Sequence, residues 1–274
     1  MTAATSNQDL PFNWVNTVYL VLTHTAVLAV FLPGTFSWSA VGVAVFLHWV
    51  TGGLGITLGL HRLAAHRSFE TPKWLEYFFI LCAGLACQGG VIDWVGLHRQ
   101  HHKFSDTGQD PHDSNEGFYW SHWGWMMRCI PGNAEIPRYT QDIANDPFYK
   151  FVQNYFVPLQ IALGLILFAL GGWPFIVWGV FVRLVAVFHC TWFVNSATHK
   201  FGYRTFESED RSRNCWWVAL ITYGEGWHNN HHAYQYSARH GLRWWEVDAT
   251  WMTIWLLQQL GLARKVKLAA APSK

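Results

Sequence analysis

The sequence predicts an all-α integral membrane protein: four transmembrane helices in two hairpins, under a helical cap that carries most of the histidines. Three observations predict it. Four apolar stretches are long enough to cross a bilayer, which takes about 20 residues. Only 13% of the 274 residues are charged, about half the share in typical soluble domains. Nine of the 15 histidines gather in clusters on one side of the apolar stretches. A disordered chain is excluded by 51% hydrophobic residues. A net charge of +2 gives no electrostatic footprint for nucleic acid.

The expected spans run near Trp14–Leu32, Ser39–Leu60, Gln153–Gly171 and Pro174–Asn195. The first three contain no Asp, Glu, Lys or Arg; the fourth contains Arg183 alone. The stretches exceed the 10–14 residues of ordinary core helices. Short turns, Pro33–Trp38 and Gly171–Pro174, join each pair into a hairpin. Trp14, Trp38, Trp173 and Trp178 fall at or near span ends, where aromatic belts sit. Apart from Arg183, every Lys and Arg lies on the side shared by the middle and C-terminal segments. The positive-inside rule makes that side cytoplasmic, together with both termini.

A fifth apolar stretch, Tyr77–Gly96, contains Asp93 and the helix-loosening Gln88-Gly89-Gly90. The N-terminus has no basic residue and resembles neither a secretory n-region nor an Arg-rich transit peptide. Five cysteines (82, 87, 129, 190 and 215), with no CxxC pair, argue against a disulfide scaffold and against a cysteine zinc site. One domain is expected over residues 1–274.

The histidine clusters are His61-Arg-Leu-Ala-Ala-His66, His98-Arg-Gln-His101-His102 and His228-Asn-Asn-His231-His232, with a smaller piece at Asn195-Ser-Ala-Thr-His199. On a helix, positions i, i+3 and i+4 share a face, so each HxxHH aims three imidazoles at one locus. Asn195 and His199 share a face in the same way. His61 and His66 stand about 140° apart on an ideal helix. Both can ligate only if the helix ends between them or if they serve different metals. Imidazole suits iron, zinc, copper and nickel. Nine histidines are too many for one ion and fit two. His24, His48, His112, His122, His189 and His240 read as structural, with His240 the first to test.

These residues resemble the membrane-bound fatty acid desaturases, specifically the stearoyl (delta-9) branch and within it the cyanobacterial and bacterial acyl-lipid enzymes. That family is marked by HxxxxH, HxxHH and HxxHH boxes. The matching text is Gly59–Arg67, His98–Ser105, Asp110-Pro-His112, Phe193–Tyr203 and Gly224–His232, and the similarity runs from about residue 40 to 245. The resemblance implies a diiron centre held by His61, His66, His98, His101, His102, His199, His228, His231 and His232, with Asn195 holding a metal-bound water. It implies insertion of a cis double bond into a saturated C16 or C18 acyl chain, at the cost of dioxygen and two electrons. Because the first two boxes must meet at one centre, residues 77–96 should form an interfacial or re-entrant helix rather than a span; covered irregular backbone is allowed at depth.

An acyl chain needs a dry tunnel. Trp94, Trp192, Phe188, Leu54 and Thr57 are the expected lining, with Trp49 and Phe46 closing the far end. The acyl-CoA-using members grip the coenzyme with polar and basic residues. Their positions here hold Gly89-Gly90, Gly96-Leu97 and Arg128-Cys129, which favours an acyl group on a glycerolipid over acyl-CoA. No electron-carrier domain is fused, so ferredoxin or a b-type cytochrome should supply electrons, docking near Arg99, Lys103, Arg239 and Arg243. The expected location is a bacterial inner or thylakoid membrane. The rivals are a diiron lipid or alkane hydroxylase, a histidine-rich metal transporter and a zinc hydrolase. A transporter would place ligands at mid-membrane, and a zinc hydrolase would want HExxH.

Overall fold

The structure is a computed structural model that describes residues 10–129 and 135–270. Among these residues every regular element is helical, and β pairing is confined to isolated bridges.

Asn13 opens α1 (Trp14–Val27) by accepting the Asn16 N–H at 3.1 Å, and a 3₁₀ turn, Leu28–Phe31, extends it. Ser37 caps α2 (Trp38–His48) through the Ala40 N–H. That helix continues as a π-helix over Trp49–Ala65. Long π-helices are rare and concentrate at functional sites. This one is held open by packing. Gly55 lies so close to α3 (Lys73–Gly84) that a Cβ there would sit 2.5 Å from the Ala83 nitrogen.

The expected single helix over 77–96 is two helices instead. The chain breaks between α3 and α4 (Val91–Phe104), where Cys87 and Gly89 take φ of 52° and 95°. Gln88-Gly89-Gly90 is the cause. Gln153 then takes the place of a cap on α4, accepting the Ile92 N–H at 2.8 Å. The segment leaves and returns at the same end, bringing the His66 and His98 rings within 4.9 Å.

Short helices α5 (Phe118–His122) and α6 (Ile136–Tyr139) follow. Asp146 caps α7 (Pro147–Ile176), with Pro147 in its first turn. Gly172, at φ 64° and ψ −151°, breaks α7. A π segment, Val177–Val182, leads to α8 (Arg183–Ser196), which ends in a 3₁₀ turn, Ala197–His199. The two legs fold against each other. The buried Arg183 guanidinium reaches Gln160 at 2.7 Å and the carbonyls of Leu85 and Gly179, so each of its three nitrogens has a protein acceptor. The cap closes with α9 (Trp216–Ile221), α10 (His228–Ala233) and α11 (Ala249–Gln259). Helix α11 packs on the π-helix, where Thr57 and Thr250 share a hydrogen bond of 2.8 Å.

Three helices are long and apolar enough to cross a membrane: Trp14–Phe31, Trp38–Ala65 and the doubled Pro147–His199. Val15, Phe31, Leu165 and Leu170 are all more than 65% exposed, as expected of surfaces that meet lipid.

Candidate metal centre

The π-helix resolves the His61–His66 spacing. Its defining bond runs from residue i+5 to residue i, and the His66 N–H donates to the His61 carbonyl at 3.0 Å. Residues five apart are therefore stacked, and the two rings meet at 4.8 Å. HxxHH on α4 and on α10 presents three imidazoles each. His199 comes from the turn that ends α8.

The nine histidines fall into two sets. His61, His66, His98, His102 and His231 form one; His101, His199, His228 and His232 form the other. Within each, the ligand atoms lie inside 4.8 Å of one another. Four Nε2–Nε2 pairs stand at 2.8–3.1 Å: His66–His98, His102–His231, His61–His231 and His199–His228. Hydrogen bonding alone cannot satisfy them. His61 Nδ1 stands 2.7 Å from a Glu225 carboxylate oxygen, which leaves its Nε2 facing His231. His231 Nε2 has one proton at most and two such neighbours. A cation fits instead: adjacent ligands at about 2.1 Å from one ion stand about 3.0 Å apart at right angles. His101 Nε2 and His232 Nε2 are buried with no hydrogen-bond partner, as atoms aimed at an ion would be. The donor set thus fits two metal ions.

Each set is backed by carboxylates: those facing His101, His199 and His232 accept from Nδ1, which fixes the tautomer and aims Nε2 inward, and Glu225 makes an ion-pair contact with His61. Glu225 holds His61; Asp110 holds His101 at 2.8 Å; Asp106 holds His199 at 3.0 Å; Asp210 holds His232 at 2.7 Å. Burial alone would raise these carboxyls. The facing imidazoles, and for Glu225 chiefly the Arg62 guanidinium, hold all four well below the usual carboxylate range. Burial and mutual repulsion push His66, His98, His102, His228 and His231 well below the usual histidine range. They stay neutral, the form that ligates. Sequence reading missed these four carboxylates as a class, although Asp110-Pro-His112 and Gly224-Glu225 stood inside the matching text.

Two cavities meet at the centre. The smaller runs from His61, His98 and His228 past Trp94 and Thr57 to His48 and Tyr223. The larger reaches His98 from the side of α1 and α7. Asn195, Thr191 and Trp94 line both. Of the other residues expected on a tunnel, Phe188 and Trp192 line the larger cavity. Leu54 is buried against Phe79 and Ile254 and lines neither. Phe46 and Trp49 face outward, 58% and 41% exposed, and do not close the smaller cavity. The helix turns His48 inward instead, where its ring bonds the Tyr223 hydroxyl at 2.6 Å.

The other histidines differ: His24, His122 and His189 bond one another, whereas His112 Nδ1 and both His240 nitrogens are buried without a hydrogen-bond partner among the described residues. His24 meets His189, and His189 meets His122, at 3.2 and 2.9 Å. His240 faces Glu225 at 3.1 Å and lies against His231, with ring centroids 4.3 Å apart. Arg99, expected at a docking surface, instead bonds Asp142 and the carbonyls of Ala64, Ala65 and Tyr139. It thereby ties the end of the π-helix to the second box.

A family model for fatty acid desaturases matches residues 12–261, and the chain belongs to that family. It is 66% identical to the sn-1 stearoyl-lipid 9-desaturase of Anabaena variabilis over 98% of both chains. It is also 66% identical to the protein of the same description from Synechocystis, over 98% of this chain and 85% of the relative. The sn-2 palmitoyl-lipid 9-desaturase of Nostoc is 52% identical over 92% of this chain and 90% of its own.

Proposed function

We propose that the protein is a membrane-bound diiron desaturase that places a cis double bond at carbon 9 of a saturated C16 or C18 chain esterified to a glycerolipid. Per turnover the saturated –CH2–CH2– unit, dioxygen, two electrons and two protons become –CH=CH– and two waters. The observation that carries the reading is the pair of histidine sets in a chain 66% identical to stearoyl-lipid 9-desaturases. Charge supports two divalent ions: Asp106, Asp110, Asp210, Glu225 and Asp248 carry five negative charges, Arg62, paired with the last two, offsets one, and two such ions supply four positive ones. Imidazole suits iron. Bound iron would supply the one-electron and dioxygen chemistry needed to remove hydrogen from an unactivated methylene, which no side chain provides.

The protein's own part is placement. The nine histidines would hold the ions, with Asn195 beside the four-histidine set. Trp94 and Thr57 would hold the acyl chain against the centre, and the apolar walls Ile56 and Val187 would exclude water. The His48–Tyr223 pair would stop the methyl end. We read the doubled helix as two spans, giving four in all, with the histidine cap on the cytoplasmic side and the whole chain as one domain. A separate ferredoxin or b-type cytochrome would deliver electrons, with Lys103, Arg239 and Arg243 as the basic contacts.

The test is expression in a host without this activity, followed by fatty-acid analysis of each lipid class. New delta-9 monounsaturated chains on glycerolipids are expected, and none from His228→Ala. Desaturation of acyl-CoA alone, or an alcohol product, would overturn the reading.

A further inference from the structure

The larger cavity has an unusual wall. Its outer lip is formed by Val15 of α1 and Val157 of α7, which are 80% and 45% exposed on helices of membrane-spanning character. It therefore opens sideways, between two helices, toward lipid. Its inner rim is polar. Asn16 reaches the Met126 carbonyl at 3.2 Å, and the Gln153 amide donates to Asp93 at 2.6 Å. The floor is the metal centre, at His98 and Asn195.

The charge of the rim restricts what enters. Among the described lining residues Arg128 is the one cation and Asp93 the one anion. Arg128 bonds the Leu10 carbonyl at 2.8 Å and stacks over the Phe12 ring at 3.9 Å, and its single charge is matched by Asp93 on the same lining. A coenzyme thioester carries several phosphate charges, and this rim has no surplus cation to receive them. A glycerol ester is amphiphilic and uncharged, and it suits an apolar lip followed by amide donors and acceptors.

From this geometry we infer that the gap between α1 and α7 is a lateral portal. Through it a glycerolipid with an uncharged head passes its sn-1 chain from the bilayer to the metals, leaving its glycerol at the rim formed by Asn16, Asp93 and Gln153. The inference deepens the proposed function and rests on its lipid-linked substrate.

The experiment has two arms. In the first, Val15→Trp and Val157→Trp are combined, and product, bound iron per chain and melting temperature are measured. Product is expected to fall at least tenfold with iron and melting unchanged, while Val21→Trp with Leu165→Trp, at exposed positions of the same helices that line neither cavity, keeps full activity. Undiminished product from the double tryptophan variant overturns the portal. In the second, the intact wild-type protein in vesicles is exposed to a photoactivatable galactosyl diacylglycerol, to phosphatidylglycerol with the same reporter chain, or to the corresponding acyl-CoA. Labelling of α1 and α7 by the galactolipid is expected, several-fold above the other two. Equal labelling by phosphatidylglycerol overturns the uncharged head, and acyl-CoA labelling at the same residues overturns the lipid portal. If the wild type makes no unsaturated lipid yet the galactolipid labels α1 and α7, the proposed function fails and the portal stands.

Discussion

Tyr223 has a backbone φ of 58°, a left-handed conformation that costs a non-glycine residue about 1–2 kcal/mol. The strain brings its ring from the cap into the span region, over Gly52 and Gly53, with its hydroxyl on His48. Ideal Cβ atoms at those glycines would stand 3.6 and 3.4 Å from the ring, ordinary contact distances, so the ring lies flat on this stretch of the helix. Tyr223→Ala is expected to move products toward longer chains, and Tyr223→Phe to keep the length distribution while losing the bond to His48. Trp49→Ala, on the outward face, should change nothing. Gas chromatography of the products checks all three; a shift with Trp49→Ala and none with Tyr223→Ala would reverse the assignment. At this scale the ligand histidines were legible, because two HxxHH patterns and an HxxxxH have few other uses. The cavity's end was not. Which side of a helix faces inward depends on its pitch, and a π-helix rotates Phe46, His48 and Trp49 away from the positions that 3.6 residues per turn assigns.

Among the elements, the π-helix Trp49–Ala65 decides the site, and glycine decides the π-helix. A Cβ at Gly55 would stand 2.5 Å from the Ala83 nitrogen and 2.7 Å from the Cys82 carbonyl carbon, both backbone atoms that cannot turn aside. Gly55→Ala must therefore push α3 away, at an overpacking cost of about 1–3 kcal/mol. It should also loosen His61, one and a half turns further along. The expected outcome is a lower unfolding midpoint with less bound metal. Gly42→Ala, with nothing within 4 Å of its Cβ, should be neutral or slightly stabilising on helix propensity. Equal effects of the two would show that close packing against α3 is not what holds this segment. The long apolar helices were readable, since uncharged 20-residue runs leave little choice, and the Gly171–Pro174 turn marked the break at Gly172. The split of residues 77–96 into α3 and α4 was half readable. Gln88-Gly89-Gly90 marked the weak point, but convergence of the boxes required only a return to the same side, not two helices.

Over the whole molecule, nine imidazoles and four carboxylates from five separate stretches converge at one place, each buried or half-buried. The stretches are His61–His66, His98–Asp110, His199, Asp210 and Glu225–His232. No sequence pattern displays that, because Asp106 and Asp210 meet His199 and His232 only through the fold. Each group is costly to bury alone. The carboxylates are charged, the imidazoles press lone pair against lone pair, and a cation removes both penalties together. Metal should therefore stabilise the fold as well as carry the chemistry. An ion at a thousand times its dissociation constant contributes about 4 kcal/mol, which in a chain of this size corresponds to a melting shift on the order of 10 °C. Removal of metal by a strong chelator should lower the melting temperature by that order, and iron(II) should restore it with two ions per chain. Hydrogen exchange should rise first in α10 and at the end of α4, where the ligands sit, and last in the hairpin closed at Gly172, which holds itself through Arg183 and Gln160. A stripped protein that melts unchanged, or that regains its stability with a single ion, would show that the two histidine sets do not bind as the geometry requires.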